Sequence, residues 1–149
     1  MNEKNNITPI NKELNVEKYE QENIKNLIYT IRGKQVMLDS DVAMLYHYET
    51  KNINKAMKRN IDRFPEDFCF QLTEIEIENL RFQNGTSSLY GGRRYLPYVY
   101  TEQGISMLAG VLKNEIAVQV SISIMRAFVE MRKFIADNGR VFQEINTIK

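Results

Sequence analysis

The chain contains one cysteine and one histidine in 149 residues, and these scarcities exclude a good deal. A lone Cys69 rules out an internal disulfide and a cysteine-based metal cluster. Set in D-F-C-F-Q-L, it reads as a small buried apolar residue rather than a nucleophile. His47 lies between two helical patterns and belongs to no nucleophile–base–orienter set, and no metal-ligand spacing occurs. The expectation is therefore a protein that is not an enzyme and has no cofactor or metal. No apolar run reaches the length of a membrane span and no basic-plus-apolar leader opens the chain, so no membrane association and a cytoplasmic location are expected. Neither sign of charge dominates: 20 basic side chains face 19 acidic ones, for a net charge of +1. Any surface for a polyanion must then be a local patch.

Such a patch lies between Leu38 and Phe68. Asp39, Ser40 and Asp41 offer acceptors for free backbone N–H groups and read as a helix start. Val42, Leu45 and Tyr46 follow with helical spacing. Thr50 offers a second N-cap, with Ile53, Met57, Asn60 and Ile61 as the inner face of a second helix that Pro65 stops. Two helices joined by a three-residue turn suit a helix-turn-helix, whose second helix enters the DNA major groove. From Lys51 to Arg63 five basic residues face one acid, so this segment carries +4 while the rest of the chain sums to −3. At 100° per residue Lys51, Lys55 and Lys58 stand opposite Ile53 and Met57. The same pattern also describes the solvated face of any surface helix. In the DNA reading, Lys51, Asn52, Asn54 and Lys55 meet base edges and nearby phosphates. Lys58, Arg59 and Arg63 hold the backbone.

Around this pair the sequence predicts a small mixed α+β domain. Leu27–Ile31 and Gln35–Leu38 form a hairpin about Arg32-Gly33-Lys34. Phe68–Leu72 is a short strand, and Thr73 with Glu76 is a capping box opening a helix through Asn84 whose apolar side is Ile77, Leu80 and Phe82. Tyr95–Tyr100 is a strand that Pro97 confines to an edge or an end. Its tyrosines suit either core packing or stacking on bases. Thr101 caps a helix carrying Ile105, Leu108, Ala109 and Leu112. Asn114 opens a long C-terminal helix that ends near Ala136, before Asn138-Gly139. Residues 83–94 read as a loop in which Arg93 and Arg94 either touch phosphate as a wing or serve solubility. Residues 1–22 read as a disordered arm, 23–137 as the DNA-binding domain, and 138–149 as a tail with the possible start of a coiled coil at Val141, Ile145 and Ile148. The long helix has two apolar stripes. Val118, Ile122, Met125 and Val129 form the second, which either packs under the Thr101–Leu112 helix or joins two copies as a homodimer.

The segments RGKQVMLDSDVAMLYHYETKNINKAMKRNIDRFPEDFCFQLTEIE, RRYLPYVYTEQGISMLAGVL and AVQVSISIMRAFVEMR, in that order, resemble the KilA-N superfamily. The nearest branch is the phage "ORF six N-terminal" domain, and the resemblance runs from about Ile28 to Phe134. It implies double-stranded DNA as partner and a phage or prophage transcriptional regulator. The family's link to antirepressors implies, as the alternative, a repressor protein as partner. Members often carry Gly in the inter-helix turn, where this chain has His47. In a left-handed conformation His costs more than Gly.

Overall fold

The computed structural model describes residues 23–84 and 95–148, with side chains placed through Gly139 except at Gln83 and Asn84. The fold is α+β. Strands β1 (Ile28–Ile31) and β2 (Lys34–Leu38) form a hairpin in which Ile31 pairs with Lys34. Its two turn residues, Arg32 and Gly33, both have positive φ (55° and 73°). That is the backbone twist that two-residue hairpins prefer, and glycine reaches it without strain. Helices α1 (Asp39–Tyr46) and α2 (Thr50–Arg59) follow, then a short 3-10 turn (Ile61–Arg63), β3 (Cys69–Gln71) and α3 (Glu74–Asn84). After residues 85–94 come β4 (Tyr98–Tyr100), α4 (Glu102–Leu112) and α5 (Glu115–Ile148).

The four strands are antiparallel in the order β1-β2-β4-β3, so β4 lies inside the sheet. Pro97, which has no N–H to give a ladder, precedes the strand and uses its carbonyl to accept from Leu72 N. Strand alternation sends neighbours to opposite faces. Val36, Leu38, Phe70 and Val99 pack with Ile77 and Leu80 of α3. Met37, Cys69 and Tyr100 pack on the other side with α1, α2, α4 and α5. Burial holds the Cys69 thiol up at about 12, consistent with an inert apolar filler.

Three helix starts follow their local signals. The Thr73–Glu76 capping box is reciprocal, with Glu76 N donating to Thr73 Oγ1 and Thr73 N to Glu76 Oε1. Gly104 N donates to Thr101 Oγ1, and Ala117 N to Asn114 Oδ1. Other expectations need correction. Asp39, Ser40 and Asp41 lie at or inside the start of α1; its cap is Leu38, without a side-chain bond. Thr50 is the first residue of α2, capped by Glu49, also without one. α2 stops at Arg59, because Asn60 leaves helical geometry at ψ 41° while its amide bonds back to Ala56 O. Ile61 then falls in the 3-10 turn and is 57% exposed, not an inner-face residue. Phe82 points to solvent at 89% exposure. α5 does not end near Ala136 but continues through Gly139, whose cost of about 1 kcal/mol relative to Ala is too small to break a long helix. The Val118/Ile122/Met125/Val129 stripe is neither open nor core: Val118 is 43% exposed, and the other three are half-buried.

The α1–α2 turn is His47-Tyr48-Glu49, with His47 left-handed at φ 62°, ψ 41°. Tyr48 N donates to Ala43 O and His47 N to Met44 O, closing α1. In the first turn of α1, burial and then the nearby Asp39 raise the Asp41 carboxyl from 3.8 to about 6. Folding thus favours protonated Asp41. Its stabilising contribution is complete below the unfolded value and is lost as pH rises through about 6. Asp41→Asn is expected to raise stability by about 1–3 kcal/mol at neutral pH. The gain should vanish near the unfolded carboxylate pKa, as urea midpoints at the two pH values would show.

Candidate nucleic-acid interface

One buried carboxylate organises the neighbourhood of α2. Asp39 Oδ2 accepts from Asn54 Nδ2 at 2.7 Å, from Tyr98 N at 3.0 Å and from the Tyr95 hydroxyl. Asn54 also donates to the Tyr95 hydroxyl, and its Oδ1 accepts from Tyr100 OH at 3.0 Å. The start of α1, the middle of α2 and the segment leading into β4 therefore meet at two side chains. Burial and the Asp39 carboxylate together push the Tyr95 hydroxyl well above its ordinary pKa. Burial does most to raise Tyr100. Both phenols stay protonated donors.

This network corrects the expectation for Asn54. Its side chain is 6% exposed and its amide is fully engaged, so it cannot present a free edge to a base. Asn52, two residues earlier, is exposed. The same helix borders an open cleft of about 620 Å³, and Asn54 lies at its inner edge. Lys51, Lys55, Lys58 and Arg59 line it from the helix; Gln71, Tyr95, Leu96 and Tyr98 line it from the sheet side. All four cations are exposed. Lys58 Nζ stands 5.3 Å from the centroid of the Tyr98 ring, and Lys51 lies a loose 3.9 Å from Glu49. Gln71 Nε2 donates to Leu96 O, fixing the far wall.

Arg63 is exposed but belongs elsewhere. It sits in the 3-10 turn beside α4, where a Cβ at Gly110 would lie 3.8 Å from its Nη1. Arg93 and Arg94 fall outside the described residues. Arg32, at the hairpin tip, is engaged by the Glu76 carboxylate at 2.7 and 2.9 Å and stacks over Phe70. The sequence reading left Tyr95 and Tyr98 between core packing and base stacking, and it missed Gln71 as a cleft residue. The available signal was a run of tyrosines whose hydroxyls need partners, next to an Asn flanking the inner face of α2.

The two asparagines separate the core role from the surface role. Asn54→Ala should lower the free energy of unfolding by about 1–3 kcal/mol or more, because it strips donors and acceptors from a buried carboxylate and a buried phenol. Asn52→Ala should stay within about ±0.5 kcal/mol, as surface changes do. Chemical denaturation of both variants measures the contrast.

Among known proteins, no curated protein and no solved structure matched the chain. Among the described residues no helix is long and apolar enough to cross a membrane. The model of the ORF6N domain does match, over residues 26–111. That span takes in the hairpin, the α1–α2 pair, the Asp39 network and nearly all of α4, and on it the chain belongs to the phage-associated ORF6N domain family.

Proposed function

We propose that this domain binds double-stranded DNA through α2, as a KilA-N-type module of a phage or prophage transcriptional regulator. The observation that carries the reading is the placement of four exposed cations along one cleft on a helix whose inner side is locked. Ile53, Met57 and Asn54 are buried, Asn54 at the edge of the open cleft that Lys51, Lys55, Lys58 and Arg59 border. Phosphate recognition needs cations at fixed positions rather than high net charge, since binding energy comes largely from counterion release at each contact.

In this reading Lys51, Lys55, Lys58 and Arg59 engage the phosphate backbone running along the cleft. Tyr98 holds the Lys58 ammonium over its ring. Asn52, exposed in the first turn of α2, is the side chain that reads a base, as N-terminal residues of recognition helices do. Asn54 acts indirectly by fixing the helix on the domain. Arg63, on the α4 side, reaches only a backbone leaving the cleft. Arg93 and Arg94, outside the described residues, carry no part of this reading.

Changing Lys51, Lys55 and Lys58 together to Ala should flatten the dependence of log K on log salt by about 2.7, at about 0.9 per phosphate contact. Fluorescence anisotropy on random duplex across a salt series reads this slope. No detectable binding by the wild-type chain at low salt would favour an antirepressor that engages a repressor protein. On a preferred site selected from a random pool, Asn52→Ala should cost about 1–3 kcal/mol while leaving random-duplex affinity nearly unchanged. Equal losses on both would reduce Asn52 to a backbone contact.

A further inference from the structure

The cations of α2 account for only one wall of the cleft; the sheet wall has a different chemistry. Gln71 and Tyr98 pair across β3 and β4, so their side chains share a face, and Leu96 lines the cleft beside them. Gln71 is exposed, and Leu96 and Tyr98 are half-buried. Gln71 Nε2 donates to Leu96 O, while its Oε1 accepts no hydrogen bond among the described residues. The Tyr98 hydroxyl has no partner among them either. A phosphate group satisfies the lysines and nothing on this wall. It offers oxygen acceptors, which Gln71 Oε1 repels, and it has no apolar surface for Leu96.

We propose that the cleft is a binding site for one nucleotide, its phosphate on the α2 cations and its base on the wall of Gln71, Leu96 and Tyr98. The ligand that matches both walls is anionic at one end, with a flat apolar body and an N–H donor at the other. A nucleotide has all three. Adenine, cytosine and guanine each carry an exocyclic amine that can donate to Gln71 Oε1. The cleft, at about 620 Å³, is within the range of about 300–1,000 Å³ usual for small-molecule sites.

The walls are held in place by the fold itself. Asn54 and Tyr95, which also line the cleft, are both tied to Asp39 Oδ2, and Gln71 is tied to Leu96 O. A site built this way loses little freedom when its ligand arrives. Lys58 Nζ, 5.3 Å from the centroid of the Tyr98 ring, links the two walls; its three N–H donors let it meet a phosphate and keep the ring contact. Two sources offer the same chemistry: a nucleotide free in solution, or one unstacked from a strand lying along α2. The second source rests on the DNA-binding reading given above; the first does not.

Isothermal titration calorimetry on the full chain, in magnesium-free buffer at low salt, compares dATP with inorganic tripolyphosphate, which carries the charge without the base. The wild type should bind dATP about 5- to 150-fold more tightly, the gain that one base on an aromatic wall supplies. Leu96→Ala and Gln71→Met should each reduce that ratio. Gln71→Met, a surface change, should leave tripolyphosphate affinity and the thermal unfolding midpoint nearly unchanged. A second arm places 2-aminopurine at each position of a duplex selected for binding. A fluorescence rise at one position, lost in Gln71→Met, identifies a nucleotide of the strand as the occupant. A dATP preference with no such rise identifies the free nucleotide. A chain that prefers dATP but binds no duplex keeps the site and sinks the DNA-binding reading. Equal affinity for dATP and tripolyphosphate, with no rise at any position, overturns the nucleotide site even where duplex binding is tight. So does a dATP preference, or a fluorescence rise, that survives both variants.

Discussion

The structure depends most on a carboxylate that never sees solvent. Asp39 opens α1, yet its side chain turns inward and gathers donors from Asn54, Tyr95 and the backbone of Tyr98. A buried charge is tolerated only when such donors replace the water it has lost. The requirement works in both directions: the carboxylate needs the three groups, and each group is held where the carboxylate needs it. Apolar packing of Ile53 and Met57 would keep α2 near the domain. The Asp39–Asn54 pair also fixes its rotation about its own axis, because hydrogen bonds are directional where packing is not. Rotation decides whether three lysines point into a cleft or around a cylinder.

The same device explains an apparently neutral protein with a concentrated cationic edge. The net charge of +1 is shared with acidic residues placed where they do structural work. Glu76 closes a capping box and holds Arg32, and Glu102 receives Arg132 across from α5. Those pairs remove two arginines from competition with the cleft. What remains unpaired by close acids on α2 is Lys55, Lys58 and Arg59, with Lys51 loosely near Glu49.

How far this was legible in the sequence depended on the range of each interaction. Caps at Thr73, Thr101 and Asn114 act within three residues, and local reading found all of them; it found the hairpin too, with the turn one residue too long, since Lys34 belongs to β2. The α2 lysines were equally legible, since helical periodicity alone places them opposite Ile53. Asp39 was misread as a cap because its partners lie 15, 56 and 59 residues away, and the D-S-D sequence carries a valid local meaning of its own. Asn54 was misread for the matching reason. An exposed amide and a buried one look alike until Tyr95 and Tyr100 are brought against them. The end of α5 was placed too early because Asn-Gly is a stop signal only where the flanking residues do not favour helix, and here they do.

The position of β4 governs how the domain comes together in time. It is the last strand in the chain but pairs between β2 and β3, so the sheet stays split until residue 100 joins it. On a ribosome the hairpin, α1 and α2 emerge well before that strand. Until it inserts, Asp39 has only Asn54 of its three donors, and that pair alone holds the rotation of the lysine helix. Contacts spanning nearly sixty residues must close before the nearer ones are worth their full energy, a topology that slows folding. The lysine-bearing face therefore takes its final shape only when the strand that follows Pro97 arrives.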